Sequence, residues 1–331
     1  MVKFSRRRFL ELAAGTATFS AVSRIASAQA YPLRPITIIV PTGAGGPQDV
    51  VARIVTERMR NSLDQPLIIE NVPGANGTLG IGRVARAKPD GYTLAFSVSF
   101  STHVINAAIY KLPYDVINDF DPIALAADAP QLILASKAIP ASDLQEFIGW
   151  LKANPGKSSL GHTGSGSPAH VAGILFQKQT GTRFQFVTYR SAGQAMQDMI
   201  AGHIELMLGP PNIALEHVRA DSIKAYAVTA KSRMVVASDI PTVDEAGLPG
   251  LYASPWYALW APKGTPRHVI GKLNTAVVDA LADPTVRLRL ADLGTEVAPR
   301  DQQTPEALGA FQRAEVAKWW PIIKEAGIKV E

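Results

Sequence analysis

Pro41-Thr42-Gly43-Ala44-Gly45-Gly46-Pro47-Gln48-Asp49, PTGAGGPQD, stands between an apolar run, ITIIV at 36–40, and an amphipathic one, VVARIVTERM at 50–59. The β-branched apolar run predicts a buried strand. Val51, Ile54, Val55, Met59 and Leu63 recur at helical spacing, so the second run predicts a helix lying on a sheet. Strand, glycine turn, helix opens an α/β unit. Glycines there permit positive φ and close approach of a ligand to the backbone, while the first N–H groups of the helix and its dipole favour an anion.

What the turn holds stays open among a nucleotide phosphate, another anion and its own backbone. The dinucleotide fingerprint fails, because Gln48 stands where its last glycine belongs. The phosphate-cradling pattern fails too, because Pro47 follows Gly46 and no lysine is near. A second unit, LGHTGSGSPAH at 160–170, runs into VAGILF. Binding crevices of α/β sheets lie beyond the carboxyl ends of their strands, so one such turn in each of two lobes would make two facing jaws.

Short apolar runs alternate with helical patterns almost to the end of the chain. Strands are expected at 36–40, 67–70, 92–97, 123–125, 131–136, 159–162, 184–188, 204–208, 223–229 and 256–261. Trp256, Tyr257 and Trp260 lie on the last of these, where alternation predicts some rings in the core and some in the crevice.

The first thirty residues are set apart as an export signal. SRRRFL at 5–10 is a twin-arginine pattern, a short apolar region follows, and Ala28-Gln29-Ala30 is a cleavage site, so cleavage after Ala30 and a periplasmic location are expected. This leader holds Lys3, Arg6, Arg7, Arg8 and Arg24 against Glu11; without it the formal charge of +5 falls to +1. Neither nucleic acid nor a membrane surface is therefore indicated as a partner. Removing thirty of the 331 residues leaves 301, enough for a large core and two lobes. No window reaches the ~20 apolar residues of a membrane span. Cysteine is absent, which excludes thiolate metal sites and a lipoprotein anchor.

An enzyme is the rival class. No GxSxG elbow is present, but Ser165 or Ser167 with His170 is a conceivable hydrolase pair, against the plainer reading of His170 as a capping or packing residue. The six histidines form no HxxxH or HExxH pair, so neither a metal nor a cofactor is expected. Asp49 most simply accepts N–H bonds in its own helix's first turn. If it faces the crevice instead, it favours a ligand with an amino group. Arg190, in the polar loop Tyr189-Arg190-Ser191-Ala192-Gly193, is either a ligand cation or a solvated loop residue.

Several segments in order resemble one family: YPLRPITIIVP with GAGGPQDVVAR, IIENVPGANGTLGIGRVARAKPDGYTL, KLPYDVINDFDPI, GSGSPAHVAGILF, VTYRSAGQAMQDMIAGHIELM, AYAVTAKSR, DIPTVDEAGLPG, WYALWAPKGTP and EVAKWWPIIKEAGIK. Together they are similar to the Bug-type periplasmic receptors of tripartite tricarboxylate transporters. The resemblance implies an α/β, two-lobed periplasmic binding protein of type II topology. Lobe one would be 31–130 plus 250–331 and lobe two 131–249, joined by two crossovers acting as a hinge. It implies a monomer that binds a small organic carboxylate through loop N–H groups and waters and delivers it to membrane transporter subunits, without catalysis. A receptor serving a two-component sensor is the variant of that reading. By position, lobe-one contacts would come from Thr42, Gly43, Ala44, Gly45, Gly46 and Asp49, and from Ser99, Ser101 and Thr102. Lobe-two contacts would come from Thr163, Gly164, Ser165, Gly166, Ser167 and His170, and from Tyr189, Ser191 and Ala192. Thr42 replaces a frequent aromatic of the family, and Ser191-Ala192-Gly193-Gln194 replaces a Gly-Gly-x-Pro run, which makes the expected pocket more polar.

Overall fold

The computed structural model describes residues 31–328; the twin-arginine segment and the cleavage position after Ala30 lie outside the described residues. From Arg34 onward the chain forms one compact unit built on two mixed sheets. Strands β1 (Ile36–Val40), β2 (Leu67–Asn71), β3 (Thr93–Val98) and β4 (Phe120–Asp128) belong to the first sheet. Strands β5 (Leu132–Ser136), β6 (Ser159–His162), β7 (Gln185–Thr188), β8 (Leu206–Gly209) and β9 (Ile223–Val228) make the second, and β10 (Trp256–Pro262) and β11 (Glu296–Val297) return to the first. The strand orders are β11-β4-β10-β3-β1-β2 and β7-β6-β8-β5-β9.

Ile36, Ile38, Ile39 and Val40 are all buried, because β1 lies between two parallel neighbours with both faces covered; that is why it reads as an unbroken apolar run. Helix α1 (Pro47–Leu63) buries the expected stripe of Val51, Ile54, Val55, Met59 and Leu63. Helices α2 (Pro168–Thr180) and α3 (Ala192–Ile200) follow β6 and β7, and α4 (Pro305–Glu325) closes the chain by packing on β4 and the segment after β3.

Each of the ten expected strands is present, and all but β4 have ends within one or two residues of those expected. The exception is nine residues long where three were expected. Pro122 reads as a break, yet it sits opposite Trp260 just past a register shift, where the ladder tolerates a missing N–H. Trp256, Tyr257 and Trp260 are all buried, so none of the three rings faces the crevice; β10 lies inside the sheet, with β3 on one side and β4 on the other.

The chain leaves the first sheet between Asp128 and Leu132 and returns between Val228 and Trp256. These two crossovers are bonded to each other: Ala129 N–H donates to Pro255 O at 2.7 Å, Gln131 N–H to Thr229 Oγ1 at 3.0 Å, and Thr229 N–H to Gln131 O at 2.8 Å.

Candidate ligand cleft

β1 and β3 are parallel, so PTGAGGPQD and the residues from Ser99 onward leave the same edge of the first sheet. β6 and β7 are parallel too, which puts HTGSGSPAH and Tyr189-Arg190-Ser191-Ala192 at one edge of the second. These are the carboxyl ends at which α/β sheets bind ligands.

The first turn is held from behind. Gly45, at φ 78°, donates its N–H to Asp49 Oδ2 at 2.8 Å. The carboxylate, 1% exposed, also accepts two bonds from Arg53, at 2.8 and 3.0 Å, and one from Asn71 Nδ2 at 2.9 Å. Burial by itself would raise the Asp49 pKa, but the bonds from Arg53, Gly45 and Asn71 and the charge of Arg53 outweigh it and hold it at about 2. Asp49 was expected to cap its own helix or to face a ligand; instead its two oxygens are used within lobe one and its charge is neutralised by Arg53. Gly46 at the N-cap of α1 offers no side chain, so the helix's first-turn N–H groups, which lack acceptors within the helix, have no cap. Beside them the Thr42 hydroxyl is buried without a partner among the described residues.

Sequence reading missed a neighbouring loop, Gly74-Ala75-Asn76-Gly77, in which four successive residues have positive φ (127°, 46°, 53° and 86°). Such conformations for Ala and Asn are sparsely populated and cluster at ligand sites. A Cβ on Gly77 would lie 3.0 Å from Thr102 Cγ2 and 3.3 Å from Pro41 Cβ. The loop is thus wedged between the first turn and the segment after β3. Asn76 and the fully buried Asn106 fix it with reciprocal bonds of 2.8 Å. The sequence signal was the local pattern PGANG itself.

After β3 the side chains turn inward. Ser99, expected at the crevice, is wholly buried, and its Oγ accepts from Trp260 Nε1 at 2.8 Å and lies 3.0 Å from Ser97 Oγ. Thr102 Oγ1 donates to Ser97 Oγ and stands 2.9 Å from His103 Nδ1, while His103 is stacked on Trp260 at 4.6 Å. Burial pushes the His103 pKa down to about 3. Ser99 and Thr102 therefore brace the π-helical turn Ser101–Ile105 from inside and offer a ligand no free side-chain oxygen; Ser101 is half-buried.

The second turn holds itself. Gly164 and Gly166 have φ of 123° and 76°; their N–H groups donate to His162 Nδ1 and His170 Nδ1, each at 3.1 Å. A ring nitrogen that accepts carries no proton, so the His170 imidazole is neutral with its proton on Nε2, while His162 Nδ1 lies between the N–H and the carbonyl oxygen of Gly164, 3.0 Å from the latter. The rings stack at 4.6 Å, and burial, followed by the neighbouring His162, pulls the His170 pKa down to about 4. Ser167 Oγ accepts from the His170 backbone N–H and caps α2. Both of those groups serve the turn, and among the described residues no serine hydroxyl is bonded to the His170 ring as a nucleophile pair would be. Thr163 and Ser165 are exposed at the tip. Tyr189 OH donates to Asp198 at 2.8 Å, Ser191 caps α3 next to the half-buried Ala192, and Arg190 is exposed.

The two lobes meet at this point. A Cβ on Gly166 would stand 2.5 Å from Ile109 Cδ1 and 3.5 Å from Ile105 Cγ2, both on the lobe-one segment that begins at Ser101.

Two α/β lobes joined by paired crossovers, with loops from the carboxyl ends of both sheets converging, are those of a two-lobed periplasmic binding protein of type II topology. Residues 51–328 match the family described as tripartite tricarboxylate transporter family receptor. The chain is 39% identical, over 98% of its own length and 96% of the other, to a UPF0065 protein in the TAR-I ttuE-ttuC' intergenic region of Agrobacterium vitis. Among solved structures it is similar to the periplasmic binding protein BugD (36% identity, TM-score 0.74, covering 91% of this chain and all of that one). It is also similar to MatC from Rhodopseudomonas palustris with bound malate (37% identity, TM-score 0.74, covering 88% of this chain and all of that one). The chain belongs to the family of tripartite tricarboxylate transporter receptors, the Bug-type solute receptors.

Proposed function

We propose that this receptor clamps one small, plain organic carboxylate, of the size of malate, between the PTGAGGPQD and HTGSGSPAH turns and delivers it to the membrane subunits of a tripartite transporter. One observation carries this reading: the first-turn N–H groups of α1 are left without a side-chain cap, beside the unpartnered Thr42 hydroxyl, at the carboxyl edge of the first sheet. Lobe two contributes the tip of its turn, Thr163 to Ser165, and the loop from Tyr189 to Ala192. Gly43, Ala44 and Gly46 act through their backbone. Asp49 acts as a support and not as a contact. Because its charge is neutralised from behind, the site does not select for an amino group. His170 and Ser167 are occupied in holding the turn, so the protein carries its ligand unchanged.

The receptor acts as a monomer in the periplasm, as the two-lobed cleft needs no second copy, with lobes bounded near residues 130 and 250. The leader supports twin-arginine export; N-terminal sequencing of the exported protein should begin at Tyr31.

Calorimetric titration with malate, succinate, their dimethyl esters and ethanolamine tests the ligand class. Acids bind and esters do not, and an acid at 100 times its Kd adds about 2.7 kcal/mol of stability. Equal binding of acid and ester, or binding of the amine alone, overturns the reading.

A further inference from the structure

Val286 and Leu290 bury the inner face of the helix Pro284–Asp292, which packs on α1 and leads into β11 of the first sheet. Leu288 lies two residues from each, on the opposite face, and is 64% exposed. On the side of the second sheet, the turn Val235–Ala237 after β9 sends Met234 and Ala237 into the core with Leu132 and Val228, and leaves Val235 outside, 85% exposed. Val235 and Leu288 line one groove of about 630 Å³. Apolar residues exposed singly are ordinary, but two from different lobes on one groove mark an interaction surface. The lobes also touch along it. The Val235 N–H donates to the Glu296 carboxylate, and a Cβ on Gly294 would stand 2.6 Å from Cβ of Pro211, the residue that opens the helix after β8. Gly294 and Glu296 line the groove as well, so its width follows the way the lobes sit on each other. Its rim is basic. Arg287 lines it and Arg219 Nη2 donates to Val236 O beside it at 3.0 Å; neither guanidinium has a carboxylate partner among the described residues. Arg233 is neutralised by Glu245, and Glu296, the one carboxylate among the described lining residues, has an oxygen buried and is bonded to Val235.

We propose that this groove is the docking surface for a membrane subunit of the transporter, which lays in it a segment with an apolar side chain between Val235 and Leu288 and a carboxylate against Arg219 and Arg287. The chemistry of the groove sets the chemistry of the partner: its centre offers apolar surface and its rim offers two guanidinium groups that lack a counter-charge. The geometry explains why this partner uses it. A transporter that accepts loaded receptors and passes over empty ones must touch a feature that differs between the two, and a groove with one wall from each lobe changes whenever the lobes move. The surface rests on the chain's membership in a transporter receptor family and not on the identity of the ligand.

The test is photo-crosslinking in cells that carry the receptor with its transporter. A benzophenone amino acid replaces Ser232, an exposed residue of the groove, or Lys88, an exposed residue away from it. The label at 232 should give an adduct that mass spectrometry identifies as the receptor joined to a multi-span membrane subunit, and the label at 88 should not. Val235→Asp with Leu288→Asp should lower the yield at 232 by at least about tenfold, and Arg287→Glu by a smaller factor. Both apolar residues are exposed, so these variants should fold and keep the parent's calorimetric affinity for malate. Absence of the adduct, an adduct with a second copy of the receptor or with a soluble protein, an equal adduct from position 88, or a yield unchanged by the double substitution overturns the proposal. The ligand reading fails separately: an intact adduct in a receptor that binds none of the acids overturns the carboxylate clamp and leaves the docking surface standing.

Discussion

The turn at 41–49 and the turn at 160–170 share one pattern of strand, positive-φ glycine, proline at the first helical position and helix, yet they are held by opposite means. The first is tied from behind by a buried charge: Asp49 grips the Gly45 N–H, and Arg53 and Asn71 grip Asp49. That leaves the front of α1 free. The second has no charged tie. The His170 ring accepts the Gly166 N–H, the His162 ring bonds the Gly164 backbone, and Ser167 caps α2. The difference teaches that a glycine turn before a helix becomes an anion cradle only where something other than the helix's own cap holds it in shape. On the function proposed above, that criterion makes the first turn the main anion site and the second a preformed rim.

The largest expected effect breaks the first tie. Asp49→Ala leaves Arg53, half exposed, and the Gly45 N–H without their acceptor, and should cost about 2–3 kcal/mol in urea unfolding, at the lower end because water reaches Arg53. The pH dependence has a defined sign. The folded pKa of about 2 lies below the ordinary value of 3.8, so the stabilisation is present above about pH 4 and is lost as pH falls toward 2. Asp49→Asn should flatten that acid limb relative to the parent. In the second turn His170 has a lowered pKa, so its contribution is present above about pH 6.5 and is lost as pH falls toward 4. His103 acts in the same window from the core of lobe one. His170→Gln should therefore remove only part of the loss there, whereas no loss at Asp49→Ala would break the comparison.

A middle-sized effect separates the two turns by their neighbours. Gly45 and Gly166 both have positive φ, and an alanine at either costs about 1 kcal/mol of backbone strain. Around Gly45 a Cβ meets nothing within 4 Å, while at Gly166 it runs into Ile109 across the lobes. Gly166→Ala should cost about 2 kcal/mol in total, the excess reflecting the displaced isoleucine. Ile109→Ala should relieve that excess in a double-mutant cycle and show no coupling to Gly45→Ala. Coupling at neither position would mean that the lobes do not meet there in solution.

Local chemistry is what the sequence displays. The buried runs, the stripe of α1 and both glycine turns were legible, since each depends on residues within a turn or a strand of one another. Arg53 stands at the i, i+4 spacing from Asp49 and was readable in principle as its partner, but Asn71 comes from another strand. Ser99 looked like a crevice residue because its partner, Trp260, lies on a strand from the far end of the chain. The strand, turn and helix pattern put both loops at the sheet edges; neither it nor the family resemblance said which side chains turn inward. Orientation depends on contacts between segments distant in sequence, such as Asn76 with Asn106 and Gly166 with Ile109, and no local pattern encodes those.

The smallest effect is the sharpest probe of the contrast, because it gives the first turn the device that the second already has. Gly46 occupies the N-cap of α1 at φ −72° and ψ 164°, a conformation natural to serine, and an added Cβ would come no closer than 3.4 Å to Gly43 O. Gly46→Ser should supply the missing cap and raise stability by a few tenths of a kcal/mol, since glycine is only slightly poorer than serine at that position. The serine hydroxyl would then accept an N–H at the front of α1, the group that a bound carboxylate requires. Affinity for the best acid of the calorimetric panel should fall about tenfold while the midpoint of urea unfolding stays level or rises. Opposite movement of affinity and stability follows only if the same N–H groups serve both cap and ligand. If affinity is unchanged in a variant whose cap has formed, the ligand does not rest on the front of α1, and the two turns are alike in function as well as in pattern.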